Sequence, residues 1–318
     1  MPHVRNRRAV LMLAVLLLGV GLSACSDDDE DAASSRTTTT VPESGSGEED
    51  AEVNAVAIDM TEYKYGIAGD LQAGTSTVTI KNSGTEVHMA AFALLKEGKT
   101  LTDVQTALQS GDDAAFDAVV ARRLDSPGSI LSPGQSEELT TDFLVAGSYA
   151  VMCFIPTAGE ATSIPHLAKG MLGTFDVAPG AVEATEVQAD AEYTIDDGSI
   201  DGPKTLKAGE NKIRMTSSGK GPHELFVAKK ASKTTTYDDI DGFFSNLFES
   251  DTAPPKGYAD TAPGILAATT FDVVSGKSIV VTTDLEPGDY LIGCAHEDDE
   301  EGGDGKRHTG EIIEVTVA

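Results

Sequence analysis

The sequence predicts an all-β protein: an antiparallel β-sandwich or barrel, twice in tandem, each with a short helical insert. Three observations lead there. Apolar and polar residues alternate with a period of two along most of the chain. Glycine is frequent, at 32 of 318 residues, and clusters of Gly, Asn and Ser separate the short alternating runs. One unit also occurs twice in the same order.

The chain begins with a targeting segment, residues 1–25. Arg5, Arg7 and Arg8 precede the apolar run "AVLMLAVLLLGVGL", and "LSAC" ends at Cys25. This resembles the lipobox of a bacterial lipoprotein signal peptide, which implies lipidation of Cys25 and a mature protein tethered outside the cell membrane. The alternative is a short membrane anchor with an incidental Cys, but the run falls short of the ~18 residues a span needs. Residues 26–52 are acidic and rich in Ser, Thr and Gly, with almost no large apolar residue. Such a stretch cannot order itself and reads as a disordered spacer.

Two repeated units follow, residues 53–180 and 181–318. "LQAGTSTVTIKNSGTEVH" aligns without a gap on "LKAGENKIRMTSSGKGPH", so Leu71, Gly74, Gly84 and His88 recur as Leu206, Gly209, Gly219 and His223. Later "AGSYAVMC" aligns on "PGDYLIGC", pairing Tyr149 with Tyr290 and Cys153 with Cys294. In the strands, Val78 and Ile80 share one face, as do Ile213 and Met215; Tyr149, Val151 and Cys153 share another. "LGTFDV" and "EIIEVTV" read as the closing strands. Between the His and Cys blocks lie helical patterns. "TLTDVQTALQSGDDAAFDAVVARR" reads as two short helices broken at "SGDD", capped at Thr102 or Asp103, and "YDDIDGFFSNLFES" is its counterpart.

The chemistry-bearing residues are few. The chain has three Cys and six His. In the first unit His88, Cys153, His166 and Met171 occur as a His after a strand-turn, a Tyr-x-x-x-Cys strand, then His-x4-Met. Two imidazoles, a thiolate and a distant thioether suit type 1 copper, whereas zinc more often takes closed tetrahedral ligation without Met. The bland reading stays open: Cys, His and Met can simply fill a core. The pattern resembles the cupredoxin family, the β-sandwich that holds blue copper, and the resemblance implies two tandem cupredoxin-like antiparallel β-sandwiches of Greek-key type. "GSYAVMC" looks like its penultimate strand, "HLAKGMLGTFDV" its His-x4-Met and closing strand, and "NSGTEVH" the turn presenting the first His. The resemblance implies one copper bound by His88, Cys153 and His166 with Met171 axial, and single-electron transfer. The twelve residues between Cys153 and His166 make a longer loop than the family's small carriers have.

The second unit keeps His223 and Cys294 but lacks His-x4-Met. A site from His223, Cys294, His296 and His308 is conceivable, and a degenerate metal-free unit is the favoured reading. The run "EDDEEGGDG" lacks the spacing of a Ca²⁺ loop and reads as a solvated acidic loop. A Cys153–Cys294 disulfide is disfavoured because the two Cys occupy equivalent inward positions of two separate sandwiches.

The net charge of −29 argues against nucleic-acid partners and against electrostatic attachment to an anionic membrane; it leaves a basic redox protein as a possible partner. No His-x-His pair supplies further copper, and no Gly-x-Ser-x-Gly or His-Glu-x-x-His is present. On that ground the protein is expected not to be an enzyme. The other function classes in view are a metal-free surface module and copper storage or delivery.

Overall fold

The structure, a computed structural model, describes residues 54–142, 144–182, 186–294 and 312–318. Cys25, the spacer, His296, His308 and the acidic run 297–305 lie outside the described residues. Among the described residues no helix is long and apolar enough to cross a membrane.

The first repeat forms β1 (Ala55–Thr61), β2 (Lys64–Gly74), β3 (Ser76–Asn82), β4 (His88–Leu95), β5 (Val120–Leu131), β6 (Ser136–Thr141), β7 (Gly147–Met152) and β8 (Leu172–Val182). The second forms β9 (Ala191–Asp196), β10 (Ser199–Asp201), β11 (Thr205–Leu206), β12 (Gly209–Ser217), β13 (Phe226–Lys230), β14 (Gly264–Thr269), β15 (Ser278–Leu285), β16 (Gly288–Gly293) and β17 (Ile312–Val317). Pairing recurs between them. β1 runs parallel to β3, as β9 does to β12. β4 lies between β5 and β7, as β13 lies between β14 and β16. One strand differs. β2 is continuous and pairs with both β1 and β8, so it belongs to both layers; its place is taken in the second repeat by the short β10 and β11.

Period two explains the faces. Val78, Ile80, Ile213 and Met215 point inward and are buried. On β7 the alternation disappears because both faces are covered. Tyr149 and Val151 face the sandwich core, whereas Ala150 and Met152 pack with Val104, Ala107 and Phe116 of the helical insert. Tyr149 Oη donates to Val145 O at 3.0 Å, and Tyr290 Oη to Glu286 O at 2.8 Å, so each repeat ties this strand to the turn before it.

The insert helices are α1 (Leu101–Ser110), α2 (Asp113–Asp117) and α3 (Tyr237–Glu249). The cap of α1 is Thr100, not Thr102 or Asp103. Asp103 instead accepts from Thr100 N at 2.9 Å and completes a capping box, which Thr236 and Asp239 repeat on α3. The helical reading also ran too far. Val120 opens β5, because pairing with β4 overrides an apolar spacing that fits either state.

The sandwiches are not separate, as the disulfide argument assumed. β6 pairs antiparallel with β15, with Leu139 opposite Val281 and Thr141 opposite Ile279, so one twelve-stranded sheet runs across the seam. Ile130 N donates to Thr269 Oγ1 at 3.1 Å, and Thr269 N donates to the buried Glu137 carboxylate at 3.2 Å. Neither Cys153 nor Cys294 is in a disulfide.

Candidate metal centre

Register brings the first two donors together. β4 and β7 pair with Ala91 opposite Met152, so Cys153, one residue past β7, reaches the start of β4. Met89 N donates to Cys153 Sγ at 3.3 Å, and His88 is the adjacent residue. His166 arrives by a different route. The long loop after Cys153 is pinched at its base, where Pro156 bridges Pro165 and Thr157 N donates to Ile164 O at 2.8 Å. Its extra length is thus set aside as an excursion. His166 N then donates to Ile155 O at 2.9 Å and Leu167 N to Cys153 O at 2.9 Å, folding the 3-10 turn His166–Lys169 back over the Cys.

The three donors converge. His88 Nδ1 lies 3.1 Å from His166 Nδ1, and Cys153 Sγ lies 3.5 Å from His166 Nδ1; the ligand atoms of all three fall within 4.8 Å of one another. Neighbouring ligands of one four-coordinate ion, with bonds of about 2.0 Å to nitrogen and 2.3 Å to sulfur, stand roughly 3.2–3.7 Å apart. The donor types suit a single metal ion, and both spacings to His166 Nδ1 match this range, whereas His88 and Cys153 would have to draw closer to share it. All three side chains have no solvent exposure. Met171 is equally buried, its carbonyl accepting from Cys153 N at 3.3 Å and its N–H donating to His166 O at 3.1 Å.

Burial sets the protonation. Loss of solvent, then repulsion from His166, lowers His88 to about 4. Loss of solvent, then Lys169, lowers His166 to about 4. Burial pushes the Cys153 thiol up to about 12. Near neutral pH the cluster is thus two neutral imidazoles and a thiol, ready to exchange the thiol proton for a cation.

Several residues around the donors escaped the sequence reading. Glu86 accepts from His166 Nε2 at 2.9 Å. Asn82 Nδ2 donates to Glu86 O and to Leu131 O, both at 2.8 Å, and its Oδ1 accepts from Gly84 N at 2.9 Å, fixing the turn before His88. Glu62 accepts from the Thr85 N–H and, at 2.8 Å, from its hydroxyl; the N–H bond holds its pKa down to about 2. Gly84 is needed for space: a Cβ there would stand 2.7 Å from His88 Nε2 and 2.8 Å from Glu62 Oε1. Sequence alignment held a signal for one of these, since Glu62 matches Asp197 in the second repeat.

The second repeat also covers this end of the first. Gly159 N donates to Pro254 O at 2.7 Å and Ser163 N to Asp251 O at 3.0 Å, both within the Cys153–His166 excursion. Tyr258, which follows, is buried with its hydroxyl unpartnered.

In the second repeat His223 Nδ1 lies 3.7 Å from Cys294 Sγ, and both are buried. Asp197 stands 3.5 Å from His223 Nε2 and accepts from Lys220 N at 2.9 Å, as Glu62 does from Thr85. Gly219 again makes room, and Gly221 occupies the position of Glu86. The remaining donors expected there, His296 and His308, lie outside the described residues.

No protein-family model matches the chain, and no curated protein matches it. Among solved structures it is similar to a dithionite-reduced auracyanin from Roseiflexus castenholzii, at 15% identity over 40% of this chain and 94% of that one, with a TM-score of 0.27. It is also similar to a multicopper oxidase, at 14% identity over 83% and 88% of the two chains (TM-score 0.22). A copper-containing nitrite reductase from Thermus scotoductus matches at 13% identity over 83% and 61% (TM-score 0.22). Since enzymes stand among these structures, the expectation of a non-enzyme is corrected: missing His-x-His pairs do not place the chain outside enzymatic chemistry. Among the described residues the strands form two sheets, of twelve and five strands, so the fold is all-β.

Proposed function

We propose that the protein is a copper-binding lipoprotein, tethered outside the cell membrane through Cys25, that passes single electrons through a type 1 site in its first repeat. In this reading His88, Cys153 and His166 would hold the copper, with Met171 as a fourth, weaker ligand. The observation that carries it is the convergence of two imidazole nitrogens and a thiol, from three separated segments, in one fully buried cluster. Copper held there would cycle between Cu(I) and Cu(II). The chain's own part is to hold the donors still. β4 and β7 fix His88 and Cys153 by backbone pairing, and the pinched loop fixes His166. A site that moves little between redox states suits fast electron exchange. The reading treats the two repeats as tandem cupredoxin-like domains, the second degenerate. The acidic surface favours a basic redox partner.

The test is the visible spectrum of purified full-length protein, in detergent, with Cu(II). An intense blue or green band that vanishes in Cys153→Ser is the expected result. Protein that takes up no copper refutes the reading and leaves a metal-free module; tight colourless Cu(I) uptake points to storage or delivery instead.

A further inference from the structure

We infer that Glu86 is a positioning residue for the metal centre: it selects the ring tautomer of His166 that leaves Nδ1 free to bind metal, and it raises the basicity of that nitrogen. The inference rests on the copper reading above and deepens it. Its basis is local geometry. His166 has no exposed surface, so water cannot orient its ring, and its Nε2 meets Glu86 Oε2 at 2.9 Å. A carboxylate only accepts, so the bond places the proton of a neutral ring on Nε2 and the lone pair on Nδ1. That Nδ1 is the atom 3.1 Å from His88 Nδ1 and 3.5 Å from Cys153 Sγ. The metal-free hydrogen bond between the imidazoles must then run from His88 Nδ1–H to His166 Nδ1.

The surroundings hold the Glu86 backbone and the His166 ring in place. Its carbonyl is tied by Asn82 Nδ2 at 2.8 Å. Tyr63 packs edge-on to His166, with ring centroids 5.1 Å apart, and Lys169 lies 4.9 Å from the Tyr63 ring centre. The second repeat has Gly221 at this position, which offers no carboxylate there. Carboxylates hydrogen-bonded behind a ligating imidazole orient it and strengthen it as a ligand, and losing one typically weakens metal binding 10–100-fold.

Two measurements test this. In the metal-free full-length protein, ring ¹⁵N shifts of His166 are expected to show the Nε2–H tautomer, with a mixture in Glu86→Ala. Copper affinity is expected to fall about 10-fold in Glu86→Gln, which keeps an acceptor but loses the charge, and about 100-fold in Glu86→Ala. The reduction potential is expected to rise in both, because the anion favours Cu(II). An Nδ1–H tautomer in the unmutated protein overturns the proposal, as do unchanged affinity and potential in Glu86→Ala. The tautomer is read without copper, so failure of the copper reading leaves that arm standing and is told apart from failure of the role given to Glu86.

Discussion

The two repeats place a His and a Cys at the same end of the same sandwich, yet they differ in what surrounds the pair. In the first, His88 and Cys153 are joined by His166, which a pinched loop returns to the Cys, and Glu86 backs that ring. In the second, His223 and Cys294 stand 3.7 Å apart, an acid again accepts from the turn before the His, and Gly221 replaces Glu86. The difference teaches that the strand scaffold supplies two donors wherever the repeat occurs. The third donor and its support are additions made by loops.

The largest expected effect separates the repeats directly. Cys153→Ser should abolish the copper band and stoichiometric copper uptake, whereas Cys294→Ser should leave the band in place. Loss of the band in both variants breaks the comparison, and the visible spectrum with metal analysis decides.

A second experiment concerns the seam. Burial raises Glu137 to about 7 from an ordinary 4.5. An acid whose folded pKa lies above its unfolded one binds its proton more tightly in the folded state. Its favourable contribution is complete below about pH 4.5 and is lost as pH rises through about 7, a fall of about 3 kcal/mol. Denaturant unfolding of the metal-free protein at pH 4.5 and pH 8 isolates this as a difference: buried His88 and His166 act in the opposite sense and do so in both proteins, so Glu137→Gln should lose only the component that favours low pH. Because β6 and β15 share a sheet, the transition should move for both repeats together; two separate midpoints would show that they unfold independently.

Crowding beside the His comes next. Gly84→Ala puts a methyl 2.7 Å from His88 Nε2, so the ring or the turn must shift, at about 1–3 kcal/mol. Gly219→Ala meets Asp197 and His223 in the same way. Thermal unfolding should register both changes, but only Gly84→Ala should also weaken copper binding. The smallest effect is at Tyr258, whose buried hydroxyl lacks a partner. Tyr258→Phe removes that desolvated group and should stabilise the protein by up to about 1 kcal/mol; destabilisation in denaturant titrations would reveal a role for the hydroxyl.

The sequence disclosed the repeat, the strand faces and the three converging donors, because these depend on period two and on residue types that are rare in this chain. His166 was legible despite the long loop, since the bridge between Pro156 and Pro165 cancels the added length. Glu86 was not legible: acidic residues are abundant here, and only folding brings this one to Nε2 of a ring far along the chain. Val120 was misread because its β-branched neighbourhood fits a helix face as well as a strand until β4 supplies a partner. The seam left no mark in the pattern, as β6 and β15 alternate like any half-buried strands.

That shared sheet has a consequence for any attempt to divide the chain. Were the halves produced apart, β6 and β15 would each become an open border, with backbone donors and acceptors bared along its length. Such a border recruits strands from other molecules. Severed halves should therefore self-associate or fail in solution, and the two copies are best regarded as one indivisible folding partnership.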